Sequence, residues 1–232
     1  MPTRSIYAGF AKLEQSRVYD LLMRLPLMGW SMFCAILQMA SFARYLREAD
    51  PALPFAAYAV NIAMRVSTIS FLLLLAASVA LRARPTGKAI GLEPRISALI
   101  GAFLVYAIPF FPRRELPLTA EMISTLLILF GSAAAVYALM RLGRSFSMMA
   151  EARRLVTSGP YRFIRHPLYL AEELAVVGLV MQFFSWATAL VLVVQIAFQL
   201  RRMHNEEAIL AESFPEYAEY RQRTARLLPG IY

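Results

Sequence analysis

The chain has 232 residues, 59% of them hydrophobic and only 17% charged, with a mean hydropathy of +0.54. Soluble domains average about 45–50% apolar and about 25% charged residues, so this composition excludes an ordinary water-soluble globule. The net charge of +9 raises the possibility of nucleic acid, but the placement of the basic residues removes that need.

Taken in chain order, the first element is a charged one. Lys12, Glu14, Arg17 and Asp20 are interspersed with Ile6, Phe10, Leu13 and Leu21 at roughly helical spacing, which predicts an interfacial helix over 1–24 lying on the membrane surface. A bilayer-crossing helix needs about 20 mostly apolar residues. Four blocks within 25–140 approach that length, at 25–43, 55–81, 96–111 and 118–140, the third being short. Cys34, the sole cysteine, lies in the first block, so no internal disulfide forms. The apolar run over 168–200 is too long for one crossing, and "FFSW" at 183–186 predicts a reversal into a hairpin with arms 168–183 and 186–200. The reading is all-α: one polytopic membrane bundle of about five to six transmembrane helices. A cytoplasmic amphipathic helix follows, packing through Leu210, Phe214, Tyr217, Tyr220 and Leu227.

Alternate crossings sort the charges. Nineteen of the 24 Lys and Arg fall on the face that holds both termini, while Arg44, Arg47, Arg113 and Arg114 fall on the other and Arg65 lies within a span. That asymmetry predicts cytoplasmic N and C termini, as in a bacterial inner membrane protein. It accounts for the positive charge by topology and anionic lipid contact, without nucleic acid.

Two segments on the basic face carry reactive side chains: 141–169 and 201–232, which together contain both histidines, His166 and His204. In "SGPYRFIRHPLYLAEEL" Pro167 suits the first helical position and His166 the cap. Tyr169 and Glu172 or Glu173 then follow along the same stripe. The helix start offers free N–H groups to an anion. Arg162 and Arg165 read as interfacial anchors, whereas glutamates buried in a span point to function because their burial is costly. In the second segment Arg202 and Glu206 stand four apart, as an ordinary helical ion pair does, with Glu207 one step round at the water–membrane boundary.

Together these residues resemble the isoprenylcysteine carboxyl methyltransferase family and its bacterial relatives, including phospholipid methyltransferase-like membrane enzymes. The shared pattern is Gly159-Pro160-Tyr161, Arg165-His166-Pro167 and Tyr169, then an apolar hairpin, then Arg202 and Glu206-Glu207, and it covers about 141–228. The resemblance implies methyl transfer from S-adenosylmethionine, entering from the cytosol, to a lipophilic acceptor (carboxylate, amine or thiol) within the bilayer. It implies that Tyr161, His166, Pro167, Tyr169, Glu206 and Glu207 hold the cofactor. It makes Arg202, His166 and Glu206 the catalytic set and puts Arg202 on the acceptor side, where Glu172 and Glu173, an acid pair outside the shared pattern, are expected to join it. Residues 141–232 are then a cofactor-binding catalytic half.

Three features depart from the pattern. Ala171 stands where the family has Gly, Glu172-Glu173 lie outside the core motif, and "RSFSMM" at 144–149 replaces the Asn-His element of the eukaryotic enzymes. Membrane sterol and enone reductases offer an alternative, with NADPH as donor, Glu172 as acid and Arg153-Arg154 available for a 2′-phosphate. A transporter lined by Asn61, Arg65 and Gln195 lacks an inverted repeat. Two histidines 38 residues apart, without close ligand partners, give no metal site.

Overall fold

A computed structural model describes residues 21, 22, 24–48 and 54–230. The expected interfacial helix over 1–24 therefore falls almost wholly outside the described residues. Six long helices follow: α1 (Leu25–Glu48), α2 (Phe55–Leu81), α3 (Glu93–Phe103), α4 (Leu118–Leu142), α5 (Pro167–Gln182) and α6 (Trp186–Ser213). A short α7 (Tyr217–Arg223) closes the order. Among the described residues four stretches are long and apolar enough to cross a membrane: Leu25–Glu48, Phe55–Leu81, Glu93–Phe110 and Leu118–Ser145. The hairpin arms α5 and α6, of 16 and 28 residues, complete the six expected blocks, α5 being shorter than a full crossing. The chain is an all-α polytopic membrane bundle.

The reversal falls where the sequence places it. α5 ends at Gln182 and Ser185 caps α6, its Oγ accepting from Thr188 N–H at 3.1 Å while Thr188 Oγ1 accepts from Ser185 N–H at 2.8 Å. Such a reciprocal cap satisfies two otherwise orphaned donors and fixes the turn. The short third block is α3 continued by a 3₁₀ segment (Leu104–Phe110) that contains Pro109.

Small residues set the packing of α4 on α5. A side chain at Gly131 would lie 2.6 Å from Ala175 N and 2.7 Å from Ala171 O, and one at Gly178 would lie 2.7 Å from Ser124 O. Ser124 Oγ donates to Gly178 O at 2.8 Å across this seam. Lipid tails are as apolar as leucine, so membrane helices associate through such close backbone approach and interhelical hydrogen bonds. Gly131, facing Ala171, is what lets the two backbones come this close. Large apolar side chains face outward instead, among them Ile36 on α1 and Leu190 and Val193 on α6.

The loops gather at two ends. At one, Arg114 N–H donates to Gln182 O at 2.8 Å. At the other, Ala83 N–H donates to Arg144 O at 2.8 Å, and β1 (Gly87–Lys88) pairs antiparallel with β2 (Glu151–Ala152). This ribbon, which the hydrophobic pattern does not signal, ties the loop after α2 to the segment between α4 and α5. Gly87 in it lies against α6, where a side chain would come 2.4 Å from Ser213 Oγ. The expected C-terminal amphipathic helix is divided. α6 runs on past the apolar block to Ser213, Pro215 interrupts it, and α7 buries Tyr217 and Tyr220.

Candidate active site

The candidate site forms at the looped end where α5 begins and α6 leaves the apolar block. Gly159, at φ +64°, turns the chain hard against Arg141, whose Cγ lies 2.9 Å from where a side chain would start. A 3₁₀ turn over Gly159–Arg162 buries Tyr161. The next residues then pair with the segment after α7. Arg165 N–H donates to Ala225 O at 2.9 Å, His166 N–H to Arg226 O at 3.2 Å, and Ala225 N–H to Phe163 O at 3.3 Å. Tyr220 Oη donates to Tyr161 O at 2.6 Å. Pro167 takes the first helical position of α5 and is buried, as the sequence predicts, and His166 stands at the cap. Its side chain does not cap the helix but turns toward α6.

The two glutamates of the Glu206-Glu207 pair part company there. Glu207 Oε1 accepts from Arg165 Nε at 2.9 Å, from His166 Nε2 at 3.0 Å and from Arg226 Nε at 3.2 Å. A carboxylate only accepts, so the hydrogen of this contact sits on Nε2. Burial pushes the Glu207 carboxyl up, but the imidazole and the two guanidiniums outweigh it and hold the group at about 2. Glu206 instead accepts from the Tyr169 hydroxyl, and from Arg202 Nε at 3.2 Å. Arg202 is 4% exposed, lies 4.8 Å from the centre of the Tyr169 ring and donates to Ser147 O at 3.3 Å. The His166 and Tyr169 rings stack with centroids 5.4 Å apart. Adjacent residues on α6 thus clamp residues three apart on α5.

A cleft opens beside this pair. Of the expected residues, Tyr161, His166, Tyr169 and Glu206 line it, while Pro167, Arg202, Glu207, Glu172 and Glu173 do not. Glu207 and Arg202 lie behind the lining and hold His166 and Glu206 in place. Glu172 and Glu173 pair with Gln199 and Gln195 deeper in the bundle. His204 is exposed and is not brought to the site.

The sequence offers Arg153 only as a phosphate partner in the reductase alternative and gives Ser147 and Glu151 no role, yet the three share one wall of the cleft. Ser147 Oγ donates to Glu151 Oε2 at 2.8 Å and Arg153 to the same oxygen at 2.5 Å. The only signal was the density of polar groups in "RSFSMMAEARR". Burial raises the phenol of Tyr161 above its ordinary range and that of Tyr220, on the far side, to about 12, so both stay protonated donors.

Fold and site together define a helical membrane protein with a cleft, lined by both apolar and polar side chains, at the end of its C-terminal hairpin. Residues 123–212, which run from α4 through the hairpin to the Glu206-Glu207 pair, match the isoprenylcysteine carboxyl methyltransferase family. The chain is also similar to the cobalt-zinc-cadmium resistance protein CzcN of Cupriavidus metallidurans, with 41% identity over 78 residues, 33% of this chain and 36% of that protein. The nickel-cobalt-cadmium resistance protein NccN of Alcaligenes xylosoxydans xylosoxydans is 34% identical over 82 residues, 35% of this chain and 38% of its own. The similarity therefore spans little more than a third of either relative. The reductase alternative is not favoured: the family match is to methyltransferases, and Glu172, its required acid, lies outside the cleft.

Proposed function

We propose that the protein transfers a methyl group from S-adenosylmethionine to a lipophilic acceptor at the cytoplasmic face of a bacterial inner membrane, with both termini on that face. The observation that carries this reading is the paired clamp of His166 by Glu207 and of Tyr169 by Glu206 beside a cleft at the membrane end of the hairpin.

The residues present suit the methyl donor, which joins a cationic sulfonium to an amino acid, a ribose and a flat base. Glu206 and Glu151 supply acceptors for its cationic and hydroxyl groups, Arg153 and Arg154 suit its carboxylate, and Tyr161 with the stacked His166–Tyr169 pair offers aromatic walls. When bound, the donor supplies an activated methyl group. The chain's own contribution is orientation, because methyl transfer is an in-line displacement whose rate depends on alignment. Glu207 fixes the His166 ring and Arg202 steadies Glu206 and the Tyr169 ring. In this reading Arg202, being so engaged, positions the site instead of receiving an acceptor carboxylate. Glu172 and Glu173 form the acceptor side.

The relatives' names concern resistance to metals. Among the described residues no three or more His, Cys, Asp or Glu side chains group as ion ligands, and the proposal does not extend to metal binding.

The test is a thermal-shift titration of detergent-purified protein with S-adenosylhomocysteine and, in parallel, NADPH. A ligand that binds only the folded state adds about 2.7 kcal/mol of apparent stability at a hundred times its dissociation constant. Stabilisation by S-adenosylhomocysteine alone is the expected result. Stabilisation by NADPH alone would overturn it.

A further inference from the structure

One turn into the bundle from Tyr169, helices α3, α5 and α6 meet at a cluster of oxygens outside the cleft. Gln195 Nε2 donates to Glu173 Oε1 at 2.8 Å and to Gly101 O at 3.3 Å. One turn along α6, Gln199 Nε2 donates to Glu172 Oε2 at 3.3 Å. Both glutamines are 2% exposed. Their carbonyl ends are left over: Gln195 Oε1, Gln199 Oε1 and Glu173 Oε2 are buried and accept no hydrogen bond among the described residues. Turning either amide over would set its oxygen against a carboxylate, so this orientation is the one that satisfies Glu172 and Glu173.

Every leftover atom is an acceptor. A buried acceptor without a donor costs about 1–3 kcal/mol, so the cluster is suited to a partner that only donates. A carboxylate head would bring further acceptors and like charge to two glutamates. Arg202, which lies one turn from Gln199 on the cytoplasmic side, is already committed to Glu206. Glu172 and Glu173 are only partly buried, and Leu174 and Val177, at 38% and 39% exposure, present an apolar surface beside them. A head group with an apolar tail can therefore reach the acids from the bilayer.

We propose that Glu173, Gln195 and Gln199, with Glu172, form the head-group subsite of the methyl acceptor, and that this acceptor is a lipophilic amine. The inference rests on the methyl-transfer reading and narrows its substrate class. The bound ammonium donates its hydrogens to these oxygens and loses one proton to a glutamate carboxylate. The freed nitrogen lone pair then forms the N–CH₃ bond as the S–CH₃ bond of S-adenosylmethionine breaks. The electron pair of that bond stays on sulfur, leaving S-adenosylhomocysteine and a methylated ammonium.

The experiment compares dodecylamine, dodecanol and dodecanoate as ligands of the full chain in detergent, by thermal shift, with and without S-adenosylhomocysteine. Dodecylamine is expected to stabilise the protein most. Glu173→Gln and Gln199→Leu are each expected to weaken that effect about tenfold, equivalent to 1.4 kcal/mol. S-adenosylhomocysteine still stabilises both variants, which shows that they are folded. With radiolabelled S-adenosylmethionine the label passes to dodecylamine. Preference for dodecanoate, indifference to all three compounds while S-adenosylhomocysteine binds, or equal amine binding by Glu173→Gln overturns the amine assignment and leaves methyl transfer standing. Failure of the wild-type protein to bind S-adenosylhomocysteine overturns methyl transfer itself, and amine binding then bears on the subsite alone.

Discussion

Replacing Glu207 by Gln tests the idea that residues behind the cleft build it. One oxygen of Glu207 serves three donors, and two of them are guanidiniums. Hydrogen bonds to charged groups contribute about 1.5–3 kcal/mol each, and a broken buried ion pair costs about 3–5 kcal/mol because a charge is left behind. Gln keeps an acceptor oxygen but loses the charge, so a loss of about 2–3 kcal/mol in apparent stability is expected. The His166 ring then loses the fixed partner that sets its orientation beside Tyr169. Spread over binding, about 1.4–2.8 kcal/mol corresponds to tenfold to hundredfold weaker affinity for S-adenosylhomocysteine. Calorimetric titration of the detergent-purified variant measures this, with circular dichroism confirming that the helices persist. A folded variant that binds as tightly as the wild type would refute the reasoning, since Glu207 would then be a local ion pair with no part in the site.

The same carboxylate gives a pH signature. Its folded value of about 2 lies below the ordinary value of about 4.3, so its stabilisation is fully present above about pH 4.3 and is lost as pH falls toward about 2. The thermal stability of the wild type should therefore fall more steeply through that window than that of Glu207→Gln; parallel curves would contradict it. Tyr169→Phe removes the donor to Glu206 but keeps the ring stack, and should weaken S-adenosylhomocysteine about tenfold while changing melting by little. Gly131→Val drives a side chain into the Ala171–Ala175 backbone, and overpacking of this kind costs about 1–3 kcal/mol, visible as a lower melting temperature. Arg226→Gln removes one of three donors to Glu207 at the terminal segment and should lower S-adenosylhomocysteine affinity less than Glu207→Gln does, by calorimetry.

Much of the architecture was legible because apolar run length is a one-dimensional property. The "FFSW" reversal, the Pro167 helix start and the Arg202–Glu206 spacing all depend on neighbours within four residues. The ribbon of β1 with β2 was not legible, since four residues without alternation carry no period to detect. Nor was the parting of Glu206 from Glu207, which depends on which α6 face meets α5. Ala171 illustrates the limit well. In sequence it is only a small residue, and the structure alone shows that it meets Gly131 at a close backbone approach.

The sequence by itself determined that this chain is a helical membrane protein. Lipid leaves no backbone group unpaired and so permits few alternatives to helices; the sequence also gathers its reactive side chains into two segments joined by a hairpin. The tertiary structure decided what each polar group faces. Arg202, already paired with Glu206 by its spacing, was set over the Tyr169 ring and outside the cleft, Ser147, Glu151 and Arg153 became its wall, and Gln195 and Gln199 met the Glu172-Glu173 pair. The glutamine–glutamate contacts join residues 22 and 27 apart in the chain, and which side chains meet across two helices is set by helix rotation and approach, which no local spacing encodes.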